Sequence, residues 1–200
     1  DTQKKVKSAR AYITVAGLYE LYINGEKIGN HRLDPLYTRF DRRNFYVTYD
    51  VTNQLQKGKN AIGVLLGNGW FNSIYTAEHY DARLEQKGWN TADFDDSKWK
   101  KAGYRAVPSQ NVVSQQVQPI RIVETIPAKA LKKVNDTTYV FDFAGNMSGV
   151  TRIKVSGEEG TVVRLKHGER IYDNGRVNMS NIDVYHRPID DKDPFQTDIL

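Results

Sequence analysis

The 200-residue chain carries 29 Lys and Arg against 24 Asp and Glu, a net charge of +5, and no cysteine. The lack of cysteine excludes a disulfide framework and a thiolate metal site, and no apolar run approaches the roughly 20 residues that a membrane span requires. Its basic residues fall in separated groups (Lys4, Lys5, Lys7 and Arg10; Arg42 and Arg43; Lys132 and Lys133) with acids between them. They read as a mixed solvated surface, so nucleic acid is not expected as a partner.

Taken in order, the elements are strands. Ala11, Ile13 and Val15 alternate with Tyr12 and Thr14. Leu18 to Ile23 alternates again, with Tyr19, Leu21 and Ile23 on one face and Glu20 and Tyr22 on the other. Asn24-Gly25 then supplies the two positive-φ residues of a type I′ hairpin turn, leading into a strand over Glu26–Gly29. Asp50 to Gly58 is a polar connection with room for a single helical turn. Ala61 to Leu66 is an apolar strand that ends at Gly67-Asn68-Gly69-Trp70. The polar, glutamine-rich stretch from Pro108 to Pro119 reads as a break between domains.

Beyond it, Tyr139, Phe141 and Phe143 alternate with Val140 and Asp142, and Ile153 and Val155 alternate with Arg152 and Lys154. Val163, Leu165 and His167 alternate in turn with Val162, Arg164 and Lys166. Ser156 to Gly160 between the last two runs reads as a hairpin turn. Period-two segments with glycine-rich turns over this length predict an all-β chain of antiparallel sandwiches.

Candidate acids for hydrolysis form two groups: Asp93, Asp95 and Asp96, then Asp142, Glu169 and Asp173. Asp95-Asp96-Ser97 has the composition of a turn whose side chains bond their own backbone. Asp142 lies on the polar side of its strand. Neither group is assigned catalysis. The histidines His31, His79, His167 and His186 sit in unrelated contexts, without a nucleophile-elbow pattern. Gly67-Asn68-Gly69 lacks the lysine of a phosphate-cradling loop. Aromatic faces near amides and carboxylates suit a sugar ring, and Trp70, Phe71, Tyr75 and Tyr80 lie close in sequence to Asn68, Glu78, Asp81 and Arg83.

The segment LYELYING followed by DVTNQLQKGKNAIGVLLGNGW resembles the N-terminal domain of bacterial α-L-rhamnosidases, glycoside hydrolase family 78. Tyr80-Asp81-Ala82-Arg83-Leu84-Glu85, Gly88-Trp89 and Phe94 to Trp99 are similar to the close of that domain. Pro119-Ile120-Arg121, Val140 to Gly149, Gly160 to Leu165 and His167-Gly168-Glu169 resemble the concanavalin-like β-sandwich that follows it. The resemblance implies two consecutive sandwiches, the first jelly-roll-like: residues 1–107, a linker at 108–118, and a second domain over 119–200. Both are expected to be incomplete, the chain being a piece of a larger protein.

The resemblance also implies an inverting hydrolase that releases terminal rhamnose from glycans or glycosides without an organic cofactor. Its acidic pair would lie in a separate helical barrel of the same polypeptide, and this chain is expected to be inactive alone. By the same resemblance, Asn68, Trp70, Glu78, Tyr80, Asp81 and Arg83 are expected to bind sugar, with calcium near Asn68 and Glu78. Asn68 stands where an acid is common, which disfavours a hard divalent ion. A stand-alone carbohydrate-binding module and a structural sandwich are the competing readings. The family carries further strands where Trp70-Phe71-Asn72 here meets Ser73-Ile74-Tyr75. This predicts a break at Asn72–Ser73, with Cα atoms farther apart than the roughly 3.8 Å of bonded neighbours.

Overall fold

In the computed structural model, residues 1–72, 80–181 and 197–200 are described. The expected break at Asn72–Ser73 lies outside them. Two units divide the chain, Asp1–Ile122 and Val123–Leu200. Apart from one helical turn, α1 (Gly69–Asn72), and a 3-10 turn at Ala82–Leu84, the regular elements among the described residues are all strands. The all-β expectation holds. No helix among these residues is long and apolar enough to cross a membrane.

The first unit holds β1 (Arg10–Ile13), β2 (Leu18–Ile23), β3 (Glu26–Lys27), β4 (His31–Arg32), β5 (Asn44–Asp50), β6 (Ile62–Gly67), β7 (Val112–Ser114) and β8 (Ile120–Arg121). One sheet has the order β3-β2-β6 and a second the order β1-β5-β7, while β4 pairs with β8. Burial along β2 follows the predicted alternation, with Tyr19, Leu21 and Ile23 inside. These three meet Val47 and Tyr49 of β5, together with Ile28 and Val51, in one core. Ala11 and Ile13 of β1 pack against it, so the two sheets face each other across a shared apolar layer. Each aliphatic side chain fully buried there contributes about 1.5–3 kcal/mol.

The hairpin turn forms where expected. Asn24 and Gly25 have φ of 52° and 86°, and Ile23 pairs directly with Glu26 across them. Asn24 also ties the turn to the 50–58 connection and to the start of β6. Its Nδ2 donates to the Gln54 carbonyl at 2.8 Å, and its Oδ1 accepts from the Ala61 N–H at 2.9 Å. The 50–58 connection makes a hydrogen-bonded turn, Gln54 N–H to Val51 O at 3.2 Å, in place of the anticipated helical turn. The stretch expected as a linker contains β7, which runs parallel to β5.

The second unit holds β9 (Ala130–Asn135), β10 (Thr138–Asp142), β11 (Arg164–Lys166), β12 (Arg170–Ile171), β13 (Val177–Asn178) and β14 (Thr197–Ile199). They pair as β9–β10, β11–β14 and β12–β13, all antiparallel. Two expectations are corrected here. Tyr139 and Phe141 lie on the exposed face of β10, and Val140 is the more covered residue. Ile153–Val155 is not a strand, and β11 takes β14 as its partner, not a hairpin neighbour across Ser156–Gly160. Alternation marks two chemically different faces. It does not say which becomes covered, or which distant edge supplies the hydrogen bonds.

Candidate functional site

The end of β6 places the aromatic residues. Gly17, at φ 126°, lies so close to this segment that a Cβ there would meet the Gly67 carbonyl oxygen at 2.5 Å. The chain then turns into α1, where the Phe71 N–H bonds the Asn68 carbonyl at 3.2 Å. Trp70, 56% exposed, has its ring centroid 6.0 Å from that of Tyr37. Tyr37 meets Phe40 edge-on at 5.6 Å, and Phe40 meets Phe71 edge-on at 5.5 Å. Four rings from two segments thus share one surface.

The loop carrying Tyr37 and Phe40 is braced from within. Buried Thr38 donates its hydroxyl to the Arg43 carbonyl at 2.7 Å, and the N–H groups of Arg42 and Arg43 both reach the Arg39 carbonyl. Arg39 and Asp41 form a two-bond pair at 2.9 and 3.0 Å beside the rings. Aromatic faces with a guanidinium and a carboxylate in the same loop offer what a sugar needs: C–H stacking together with donors and acceptors for hydroxyls. Tyr37 and Phe40 carry no periodic signal. Only the fold brings them to Trp70.

Tyr80, Asp81 and Arg83 form a local turn. Asp81 Oδ1 caps the 3-10 turn by accepting the Arg83 N–H at 3.0 Å, and its carboxylate accepts two bonds from the Arg83 guanidinium at 2.8 and 2.6 Å. The bond from Arg83 lowers the Asp81 pKa to about 2. The Tyr80 hydroxyl donates to Glu85, which raises its pKa. The contacts that fix these side chains lie within residues 80–85. Glu78 lies outside the described residues.

The candidate acids are structural in their visible contacts. Asp95 Oδ1 accepts from the Ser97 N–H at 3.0 Å, and Asp142 Oδ1 from the Ala144 N–H at 2.6 Å. Asp173 sits in the tight turn between β12 and β13. Asp93 lines an open depression with Asp95, Lys87 and Lys98, while Asp96 and Glu169 are exposed. No three His, Asp or Glu side chains among the described residues converge as a metal site would require. His167 bonds the Thr151 hydroxyl at 2.7 Å, and His79 and His186 lie outside the described residues.

His31 belongs to a polar network that sequence reasoning did not find. Its Nδ1 is 2.6 Å from Oδ2 of Asp34, a carboxylate only 2% exposed, and its Nε2 is 3.1 Å from Nη2 of Arg121. A guanidinium only donates, so Nε2 is the acceptor and Nδ1–H donates to Asp34. With Arg121 on its remaining lone pair, His31 has no nitrogen free to act as a base. Tyr49 donates to the same Asp34 oxygen at 2.9 Å, and Tyr19 lies 3.1 Å from the Tyr49 hydroxyl. The short His31-x-x-Asp34 spacing is the only trace of this network in the sequence.

Comparison with known proteins bears out the resemblance read from the motifs. The α-L-rhamnosidase N-terminal domain matches in two pieces, residues 4–74 and 71–124, and the bacterial α-L-rhamnosidase concanavalin-like domain matches residues 132–194. An α-L-rhamnosidase of Formosa agariphila is 30% identical over 227 aligned positions, which take in 86% of this chain and 24% of the relative. One from Streptomyces avermitilis is 30% identical over 230 positions, covering 90% of this chain and 22% of the relative. The chain spans about a quarter of the length of the curated relatives it matches. Among solved structures, the α-L-rhamnosidase from Dictyoglumus thermophilum superposes with a TM-score of 0.82 at 38% identity, over 88% of this chain and 25% of that one. The Streptomyces avermitilis α-L-rhamnosidase complexed with L-rhamnose gives 0.81 at 27% identity, over 99% of this chain and 23% of that one. The chain therefore belongs to the bacterial α-L-rhamnosidase family, matching its N-terminal domain and, after it, its concanavalin-like domain.

Proposed function

We propose that the protein to which this chain belongs removes terminal α-L-rhamnose from glycosides by inverting hydrolysis, and that this chain supplies its scaffold and a sugar-binding surface. The observation that carries the reading is the ordered match of both family domains, in relatives named α-L-rhamnosidase that are about four times as long. Inversion needs an acid and a base about 6.5–9.5 Å apart with a water between them. Asp95 and Asp142 accept turn N–H groups and Asp81 pairs with Arg83, so that chemistry is assigned to a helical barrel elsewhere in the polypeptide.

The sugar-binding role centres on Trp70 and Asn68, with Tyr37, Phe40 and Phe71 extending the aromatic surface. Glu78, Tyr80, Asp81 and Arg83 complete the proposed set; Asn68 in place of an acid, and an Asp81 carboxylate already held by Arg83, do not fit a calcium ion there. Calorimetric titration of the chain with L-rhamnose, with and without calcium, tests this. Saturable heat that Trp70→Ala abolishes is the expected result. Equal heats for the variant and the parent chain would remove Trp70 from the site, and no heat at all would leave the scaffold role alone.

A further inference from the structure

Strand β8 is the last strand of the first unit, and little apolar burial holds it. Ile120 is 45% exposed, and Ile122 just past the strand is 56% exposed. The backbone of β8 pairs with β4 through two residues, Arg121 opposite His31 and Ile120 opposite Arg32. The Arg121 side chain adds two bonds to that short ladder. Its Nε donates to Asn30 Oδ1 at 2.9 Å, and its Nη2 donates to His31 Nε2 at 3.1 Å.

The second of these bonds exists in only one protonation state of His31. A guanidinium only donates, so Nε2 must keep its lone pair to accept from it. In the imidazolium both ring nitrogens carry hydrogen, and two cations would then face each other at contact distance. The bond to Asp34 responds in the opposite sense. Nδ1–H donates to Oδ2 in either state, and more strongly once the ring is charged. From β5, Tyr49 bears on the imidazole with its ring centroid 5.5 Å away and its hydroxyl on the same Asp34 oxygen, while Tyr19 of β2 bonds Tyr49. Arg32, beside His31 on β4, reaches away to Glu20 at 3.1 Å. Among the described residues, the charged groups that bond the imidazole are thus Asp34, which favours an added proton, and Arg121, which opposes it. Imidazole is the side chain whose charge changes between about pH 5 and 8. With 17% of its side chain exposed, His31 can exchange that proton with solvent.

We propose that His31 is an acid-sensitive latch on β8. An added proton leaves the Asp34 side of the ring bonded and expels Arg121 from the other side, so that β8 keeps only its two-residue ladder and the Asn30 bond to hold it on β4. This inference rests on neither the hydrolytic nor the sugar-binding reading.

The test follows amide hydrogen exchange of the whole chain by NMR at about pH 8 and about pH 5, with rates corrected for the pH dependence of exchange in an unfolded chain. Protection of the His31, Arg32, Ile120 and Arg121 amides should fall about tenfold or more in acid, while the Leu18–Ile23 amides of β2 keep theirs. His31→Gln, which cannot take up a charge, should abolish the fall. Arg121→Gln serves if that variant does not fold, and its β8 amides should be weakly protected at both pH values. Equal protection of the parent chain at the two pH values overturns the proposal. So does a fall shared equally by β2, which is acid unfolding of the whole unit, or a fall that survives in either variant.

Discussion

Asp34 carries its carboxylate into the interior of the first unit, and both of its oxygens are met there. His31 and Tyr49 bond Oδ2, while Gln115 Nε2 lies 3.5 Å from Oδ1. Removing one partner of such a network strands the others, which costs more than the net worth of any single bond. Asp34→Ala should therefore lose about 3 kcal/mol of folding stability in urea denaturation. The tyrosines attached to this network give an alkaline signature. Burial raises the Tyr49 hydroxyl from 10.0 to about 12, and burial together with the Tyr49 bond pushes Tyr19 further up. A raised folded-state value means that the native state holds the proton more tightly. Stability from Tyr49 is thus fully present below pH 10 and is lost as pH rises through about 12. Denaturation midpoints should fall across that window, and Tyr49→Phe should shallow the fall.

At the level of elements, two backbone positions decide whether β2 meets its neighbours correctly, Gly25 in its turn to β3 and Gly17 against the end of β6. Gly25 has φ 86°, and the Thr91 methyl lies 3.3 Å from where its Cβ would be. Gly25→Val should lower stability by about 1–2 kcal/mol, seen as a lower melting temperature. Gly17→Ala should cost more, because the added carbon meets main chain that cannot turn aside. It should also shift Trp70 fluorescence, since Asn68 to Trp70 must move to admit it. These positions also show what sequence could reveal. Leu18–Ile23 and Asn24-Gly25 were legible because alternation and turn chemistry are local. The joining of Tyr37 and Phe40 to Trp70 was not, because it depends on how a loop folds back over the end of β6. Tyr139 and Phe141 mislead for a related reason: their period is real, but nothing in it records which face of β10 stays open. Trp70 is proposed from its motif, while Asp81 and Arg83 hold each other in a turn.

For the whole chain, the first unit contains its own core. Tyr19, Leu21, Ile23, Ile28, Val47, Tyr49 and Val51 form one cluster, and all belong to Asp1–Ile122. Among the described residues, the contacts that the candidate acids make are structural. General acid and base contribute about 10²–10⁴-fold each, and only when held within reach of the same bond. Here Asp81 is held by Arg83, Asp95 by its own turn, and Asp142 by the Ala144 N–H. His31 has both nitrogens engaged. The Arg83 bond to Asp81 and the Ser97 bond to Asp95 lower the proton affinity of each carboxylate, which makes both weaker bases and poor acids near neutral pH. The chain incubated with an aryl α-L-rhamnoside should accordingly release no phenol above the buffer rate, including under conditions where calorimetry shows L-rhamnose to be bound. Turnover that disappears on replacing an Asp or Glu of this chain would place the catalytic pair here, and would contradict its assignment to the rest of the polypeptide.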